Sequence, residues 1–138
     1  MGIEQISVFL ENTTGRICEV TGTLARAGIN LRAVNIADTA DFGILRLIVD
    51  KTDEAVQALV DAGFTTRKTA VVAVEMVDKP GSLDALMNLI TKAGINIEYL
   101  YASLEGSSGK AVVIFKLEDN DKGFEWLRKN GVALVERF

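Results

Sequence analysis

The fold is decided by DKPGSL at residues 78–83 and AGINI at residues 93–97, because both repeat an earlier pattern. The earlier copy consists of NTTGRI at residues 12–17 and AGINL at residues 27–31. The glycines of both motifs recur after 66 residues. An equal spacing at two separate landmarks indicates an internal duplication, and a repeat of this length defines the whole architecture.

The first copy predicts the element order strand, helix, strand, strand, helix, strand. Apolar residues alternate over 6–10, as in a half-buried strand, and they follow helical spacing from residue 17 to residue 24. Gly28 is placed to end that helix. The predicted elements are a strand over 6–10, a helix over 15–27, a strand over 29–37, a turn over 38–42, a strand over 43–49, a helix capped by Thr52 and ended by Gly63, and a strand over 64–69.

The second copy repeats this order. A strand over 72–76 is followed by a helix with apolar residues at i, i+3, i+4 and i+7 from Leu83. Strands over 95–103 and 110–117 are joined by a hairpin loop over 105–109. A helix around 124–127 and a strand over 133–137 complete the copy. The βαββαβ order, present twice, predicts an α+β fold of two tandem ferredoxin-like domains, over 1–70 and 71–138. No flexible linker separates the copies, so we expect the two halves to pack together.

Composition excludes several classes of function. The net charge is −4 and no basic run occurs, which argues against nucleic-acid and anionic-membrane partners. The chain has no histidine, so Ser-His-Asp, Cys-His and phosphohistidine mechanisms are excluded. No stretch approaches the roughly 20 apolar residues of a membrane span, and the N-terminus does not resemble a signal peptide. We expect a cytoplasmic protein.

Cys18 is the only cysteine, so an intrachain disulfide and a thiolate metal cluster are both excluded. Its place beside Ile17 in the helical pattern predicts a buried or half-buried packing role. The acidic run at 118–121 lacks the spacing of a calcium loop, and we expect it to cap the following helix.

The turn between the first strand and the first helix of each copy is the candidate binding site. The free N–H groups of a helix's first turn, together with the helix dipole, attract a carboxylate. Gly15 and Gly81 would let a ligand approach the backbone closely, while Asn12 and Asp78 offer polar groups three residues upstream. An acceptor for an ammonium beside donors for a carboxylate suits a free amino acid. The alternative is that these residues serve only turn and cap chemistry.

At these motifs the chain resembles the ACT domain, a regulatory module that binds amino acids. The resemblance rests on the loop at 78–83 and the Gly-Ile-Asn-Ile segment at 94–97, and it extends to the first copy. The first copy departs from the family with Thr14 where a proline is common, which leaves open whether both copies bind ligand. The resemblance implies side-by-side pairing of domains that joins their antiparallel sheets, with an amino acid bound at the interface and sensed allosterically.

The resemblance also implies the site residues and partners. No enzyme segment accompanies the copies, so a stand-alone regulator without catalytic residues, cofactor or metal is expected. Its partner would be a free amino acid or similar small carboxylate; a metabolic enzyme and homodimer formation stay open. The implied ligand contacts are Asn12, Thr13, Thr14, Gly15, Arg16, Asp78, Lys79, Pro80, Gly81, Ser82 and Leu83, with Asn30 and Asn96 as lesser candidates.

Three alternatives remain beside this interpretation. An acylphosphatase-type enzyme would use Arg16 beside Asn30, although the expected glycine-rich cradle is missing. An RNA-binding sheet would need aromatic and basic residues on its face, which this acidic chain lacks. A protein-interaction subunit without its own ligand would instead use an open sheet edge.

Overall fold

The structure is a computed structural model that describes residues 2–38, 42–104 and 109–138. Most of the predicted turn over 38–42 and of the predicted hairpin loop over 105–109 lies outside the described residues. Within the described residues there are seven strands and four helices, and the βαββαβ order occurs twice, as predicted. The elements are β1 Ile3–Glu11, α1 Arg16–Arg26, β2 Leu31–Asp38, β3 Phe42–Val49, α2 Thr52–Asp61, β4 Thr65–Val77, α3 Ser82–Lys92, β5 Ile97–Ala102, β6 Lys110–Leu117, α4 Asn120–Lys129 and β7 Leu134–Val135.

The chain forms two compact units, one of Glu4–Thr69 and one of Ala70–Phe138 with Met1–Ile3. In the first unit the strand order is β2-β3-β1-β4, and β3 is antiparallel to both of its neighbours. Alternate residues of β1 and β3 form one core with α1 and α2. The core residues are Ile6, Val8, Leu10, Val20, Leu24, Ile29, Leu45, Leu47, Val49, Ala55, Leu59 and Phe64.

The second unit has the equivalent order β7-β4-β6-β5, with antiparallel pairs throughout. Helices α3 and α4 contribute to its core. The core residues are Val72, Val74, Leu86, Ile90, Ile95, Val113, Phe115, Leu117, Phe124 and Leu127. Each unit therefore has the strand order of a ferredoxin-like fold and a separate apolar core.

Strand β4 differs from its prediction, because the two strands expected over 64–69 and 72–76 form one strand of 13 residues. The boundary between the compact units falls inside it, at Thr69 and Ala70. No glycine or proline interrupts this stretch, and its β-branched residues favour continued extension.

The buried packing role predicted for Cys18 is wrong, because its side chain is exposed. Val20 and Leu24 set the buried face of α1, and Cys18 is about 200° from Val20 around the helix. Ile17 shares the face of Val20 but lies in the first turn, where 45% of it is exposed.

Two predicted helix starts can be compared with the structure. The cap of α2 is Lys51 rather than Thr52, since the carbonyl of Lys51 accepts the first helical hydrogen bond from Ala55 N at 3.0 Å. The acidic run before α4 does cap it, because Asp119 Oδ1 accepts from Lys122 N at 3.1 Å.

The longest described helices have 11 residues, and none of the described helices has the length and apolar composition to cross a membrane.

Candidate ligand-binding site

The loop between β1 and α1 turns tightly before the helix begins. Thr13 N donates to Glu11 O at 2.9 Å, and Arg16 N donates to Thr13 O at 3.4 Å. Gly15 then takes φ 90° and ψ −10°, a left-handed conformation that favours glycine. A Cβ at Gly15 would meet no atom within 4 Å, so the glycine is needed for its backbone angle and not for space.

The start of α1 has no side-chain cap among the described residues. Asn12, the candidate for that role, is exposed and makes no cap hydrogen bond. The amides of Ile17 and Cys18 precede the first i→i−4 bond of the helix, which Glu19 N makes to Gly15 O at 3.0 Å. The described residues provide no acceptor for these two amides, so the helix start retains donors for an anion.

The loop between β4 and α3 has nearly the same backbone geometry. Lys79 N donates to Val77 O at 3.0 Å, and Ser82 N donates to Lys79 O at 3.3 Å. Gly81 takes φ 90° and ψ −13°, and α3 also lacks a side-chain cap in the described structure. The substitution of Thr14 for the family's proline therefore leaves the first loop in the same conformation as the loop that contains Pro80.

Arg16 distinguishes the first loop from the second. Its guanidinium carbon lies 4.9 Å from the ring centroid of Phe64, within range of a cation–π contact. Its Nη1 pairs with Glu19 Oε2. Its Nε atom is buried and has no hydrogen-bond partner among the described residues. A buried donor of this kind has a free-energy cost unless a ligand or water accepts from it.

Arg16 lines a cavity of about 280 Å³ at this end of the first unit. The volume is just below the range of about 300–1,000 Å³ that is typical of small-molecule sites. The walls combine one guanidinium, one carboxylate and three aromatic rings, since the lining residues are Phe9, Leu10, Glu11, Arg16, Phe42, Gly63, Phe64 and Thr65.

The second unit does not reproduce this cavity's chemistry. Ser82 takes the position of Arg16, and Val132 takes the position of Phe64 after the matching glycine. The second loop therefore keeps the backbone amides of the first but lacks its guanidinium and its aromatic ring.

Asn30 lies far from the candidate loop of its own unit. The strand register places Glu11 opposite Phe42 and Leu31 opposite Val49, at the two ends of β3. Asn30 N donates to Asp50 Oδ1 at 3.0 Å, at the second of these ends. A strand of this length separates the two ends by about 23 Å.

Asn96 has the same relation to the loop at 78–83. Val77 pairs with Lys110 and Ile97 pairs with Leu117, so the two segments lie at opposite ends of β6. Asn96 O accepts from Glu118 N at 2.9 Å. Within each unit, the structure thus groups the loop residues together and places the asparagine candidate at the other end of the sheet.

Seven of the eight cavity residues were not predicted from the sequence as site residues. They are Phe9, Leu10 and Glu11 of β1, Phe42 of β3, Thr65 of β4, and Gly63 and Phe64 of the segment between α2 and β4. One available signal was the position of Phe64 directly after the helix-ending Gly63, since the structure places both in the cavity wall.

Comparison with known families agrees with this architecture. A family model described as "ACT domain pair" matches residues 1–137. The chain belongs to the ACT domain pair family. The resemblance noted in the sequence is thereby confirmed, and the two units correspond to a tandem of ACT domains. The placement of a ligand at a domain interface stays a prediction.

Solved structures similar to this chain include two that cover nearly its whole length. Protein BT0572 from Bacteroides thetaiotaomicron is 40% identical, with a TM-score of 0.92 over 98% of this chain and 92% of that one. The regulatory subunit of aspartate kinase from Thermus thermophilus, in its ligand-free form, is 18% identical, with a TM-score of 0.64 over 91% of this chain and 90% of that one. The second likeness shows the fold alone. No protein with a curated description matches the chain in sequence.

Proposed function

We propose that this ACT domain pair is a regulatory protein that binds a free amino acid, or a similar small carboxylate, in the cavity of its first unit. The observation that carries the proposal is the buried Nε atom of Arg16, which lacks a hydrogen-bond partner in the described structure and belongs to a residue that lines that cavity. A planar guanidinium binds carboxylates through paired, directed hydrogen bonds.

The cavity offers a separate contact for each part of an amino acid. The carboxylate would bind Arg16, and the helix start that follows in sequence adds the free amides of Ile17 and Cys18. Glu11 lines the same cavity and would accept the ammonium group. The three phenylalanines provide an apolar wall, which favours a ligand with an apolar side chain.

The first unit is proposed as the principal site, because it alone combines the loop amides with a guanidinium. The second loop has Ser82 at that position and Asp78 as its upstream polar group. A carboxylate there would meet the backbone donors and the flexible ammonium of Lys79 but no guanidinium, so we expect it to bind more weakly.

An acylphosphatase-type activity is less well supported. That mechanism would require Arg16 and Asn30 to contact one substrate. Arg16 begins α1 and Asn30 follows its end, and the 11 residues of the helix give a separation of about 16 Å. We therefore propose a binding role without catalysis, and we expect acyl phosphates to be left intact.

A thermal-shift panel of the twenty amino acids tests the proposal. One amino acid or a small group should raise the melting temperature, because a ligand that binds only the folded state stabilises it by about 2.7 kcal/mol at 100 times its Kd. The amide derivative of the same amino acid, which lacks the carboxylate, should produce no shift.

Charge substitutions in the cavity then assign the contacts. Arg16→Gln should weaken binding by about tenfold or more, the equivalent of losing about 1.4 kcal/mol. Glu11→Gln should weaken binding of the amino acid but leave unchanged the binding of its analogue without the ammonium group. Arg26→Gln is the matched control, since it removes an exposed cation from the other end of α1.

Two results would contradict the proposal. One is a flat panel, which would favour a protein-interaction subunit without its own ligand. The other is an amino acid whose affinity is the same for the Arg16→Gln and Arg26→Gln variants, which would place its site elsewhere.

A further inference from the structure

A groove on the second unit has a composition that the proposed amino-acid site does not explain. It lies between the end of α3 and one face of α4, and its volume is about 680 Å³. This volume is well within the range of small-molecule sites. The lining residues are Lys92, Ala93, Lys122, Glu125, Trp126, Arg128 and Lys129.

The aromatic ring in this groove is held in place by the fold. Trp126 is half-buried and packs against the core of the second unit. Its Nε1 atom donates to Leu89 O at 2.8 Å, which links α4 to α3. The indole therefore provides a fixed apolar surface in the groove, with its polar group already satisfied.

The groove is strongly positive on an acidic chain. Four cations and one carboxylate line it, whereas the whole chain has a net charge of −4. Glu125 Oε2 accepts from Arg128 Nη2 at 2.7 Å, so this carboxylate already neutralises one cation. Within the described part of the chain, Lys92, Lys122 and Lys129 have no carboxylate within ion-pair distance.

Helix dipoles explain only part of this charge. Lys92, Arg128 and Lys129 occupy last turns, where cations are favourable. Lys122 lies in the first turn of α4, where a cation opposes the dipole. Asp119 and Asp121 lie beside Lys122 at this helix start, but neither forms an ion pair with it in the described structure, and an anionic ligand in the groove would offset the cost of its charge.

We propose that this groove binds a small polyanion with a planar ring, of the nucleoside phosphate class. The ring would pack against Trp126, where contact between a base and an aromatic side chain contributes about 1–3 kcal/mol. The phosphates would bind the unpaired ammonium groups of Lys122 and Lys129, with Lys92 on the opposite wall. This site shares no residue with the amino-acid cavity, so it adds a second input to the proposed regulator.

Tryptophan fluorescence reports directly on this groove, because Trp126 is the only tryptophan of the chain. ATP, adenosine and inorganic triphosphate would each be titrated into the full chain, with tryptophan emission as the readout and calorimetry as the second measurement. ATP should quench or shift the emission in a saturable manner. Adenosine and triphosphate should each bind at least about tenfold more weakly, because each lacks one of the two contacts.

Matched variants separate the groove from general charge effects. The double variant Lys122→Gln with Lys129→Gln should weaken ATP binding by about tenfold or more. Lys51→Gln with Arg67→Gln removes two exposed cations from the first unit and should leave ATP binding unchanged. Trp126→Phe, followed by calorimetry, tests whether an aromatic ring without the hydrogen bond to Leu89 retains binding.

Several outcomes would overturn the proposal. They are the absence of an ATP response, equal losses in the two double variants, triphosphate binding as tight as that of ATP, and a response to an oligoglutamate peptide where ATP gives none. The last would assign the groove to an acidic protein. The amino-acid proposal is tested separately, since Arg16→Gln should leave ATP binding intact and the lysine variants should leave the amino-acid shift intact.

Discussion

At the scale of single residues, the two glycines before α1 and α3 serve the backbone angle of the turn. Both have φ 90°, and a Cβ at either would meet open space. From the sequence we expected these glycines to let a ligand approach the backbone. The structure is compatible with that role, but the backbone angle of the turn already requires glycine at both positions. A binding defect after substitution would be ambiguous, so side-chain changes at Arg16 and Glu11 are the sharper tests of binding.

The effect of alanine at a glycine should have opposite signs at two positions near α1. Gly15→Ala should lower the free energy of unfolding by about 1–2 kcal/mol, because an L-residue is strained in the left-handed region. Gly22→Ala, inside the helix, should raise it by about 0.5–1 kcal/mol, because alanine favours helix. A Cβ at Gly22 would meet only the flexible end of Arg26.

Urea unfolding of both variants gives the comparison. Equal changes, or a larger loss at Gly22 than at Gly15, would show that backbone strain at the loop does not set the stability of this turn.

At the scale of helices and strands, spacing predicted the elements well but not their solvent exposure. The repeated glycines and the periodic apolar residues were sufficient for the βαββαβ order and for the strand over 110–117. The helical pattern predicted from Leu83 lies inside α3, which begins one residue earlier. Cys18 was assigned to the wrong side of α1, because the buried face depends on which residues meet the sheet. That contact is a property of the tertiary fold.

The candidate site was predictable only in its loop. The motif and its glycine indicated where backbone amides are free, and the structure retains them. The contact of Arg16 with Phe64 joins residues 48 positions apart, because β4 lies beside β1. A single sequence contains no direct signal for such a contact, since it arises only when strand order and register are known.

Helix α4 provides a prediction that runs against helix propensity. Gly123→Ala should lower the free energy of unfolding by about 1–3 kcal/mol, because a Cβ there would collide with Leu117 Cδ1 in the core. The better helix propensity of alanine would raise the free energy of unfolding by only about 1 kcal/mol. The loss can be measured by urea unfolding with Trp126 emission as the probe.

Gly22→Ala is the control for this substitution, as it places the same residue inside a helix without a core collision. If both variants are stabilised, α4 must have room to move away from β6.

At the scale of the whole molecule, we expect the acidic balance of the chain to set its solubility. Asp and Glu number 19 against 15 Lys and Arg, and the isoelectric point is about 4.9. As the pH falls from 7, carboxylates become protonated and the net charge of −4 approaches zero. Light scattering should show the lowest solubility near pH 4.9.

Neutralising two exposed carboxylates checks this origin. Glu54→Gln with Glu118→Gln should move the solubility minimum to higher pH, because fewer protons are then needed to reach zero net charge. A minimum that stays in place would point to exposed apolar residues instead, such as Phe42 at 63% exposure.

The continuity of β4 limits how this molecule can be dissected. The strand runs unbroken from Thr65 to Val77, while the compact units divide at Thr69 and Ala70. Division of the chain at that point would give two fragments, one ending and the other beginning inside β4. Unpaired amides and carbonyls of the divided strand would then pair with other chains. The two halves share a sequence pattern, yet we expect each half expressed alone to aggregate instead of folding as an independent domain.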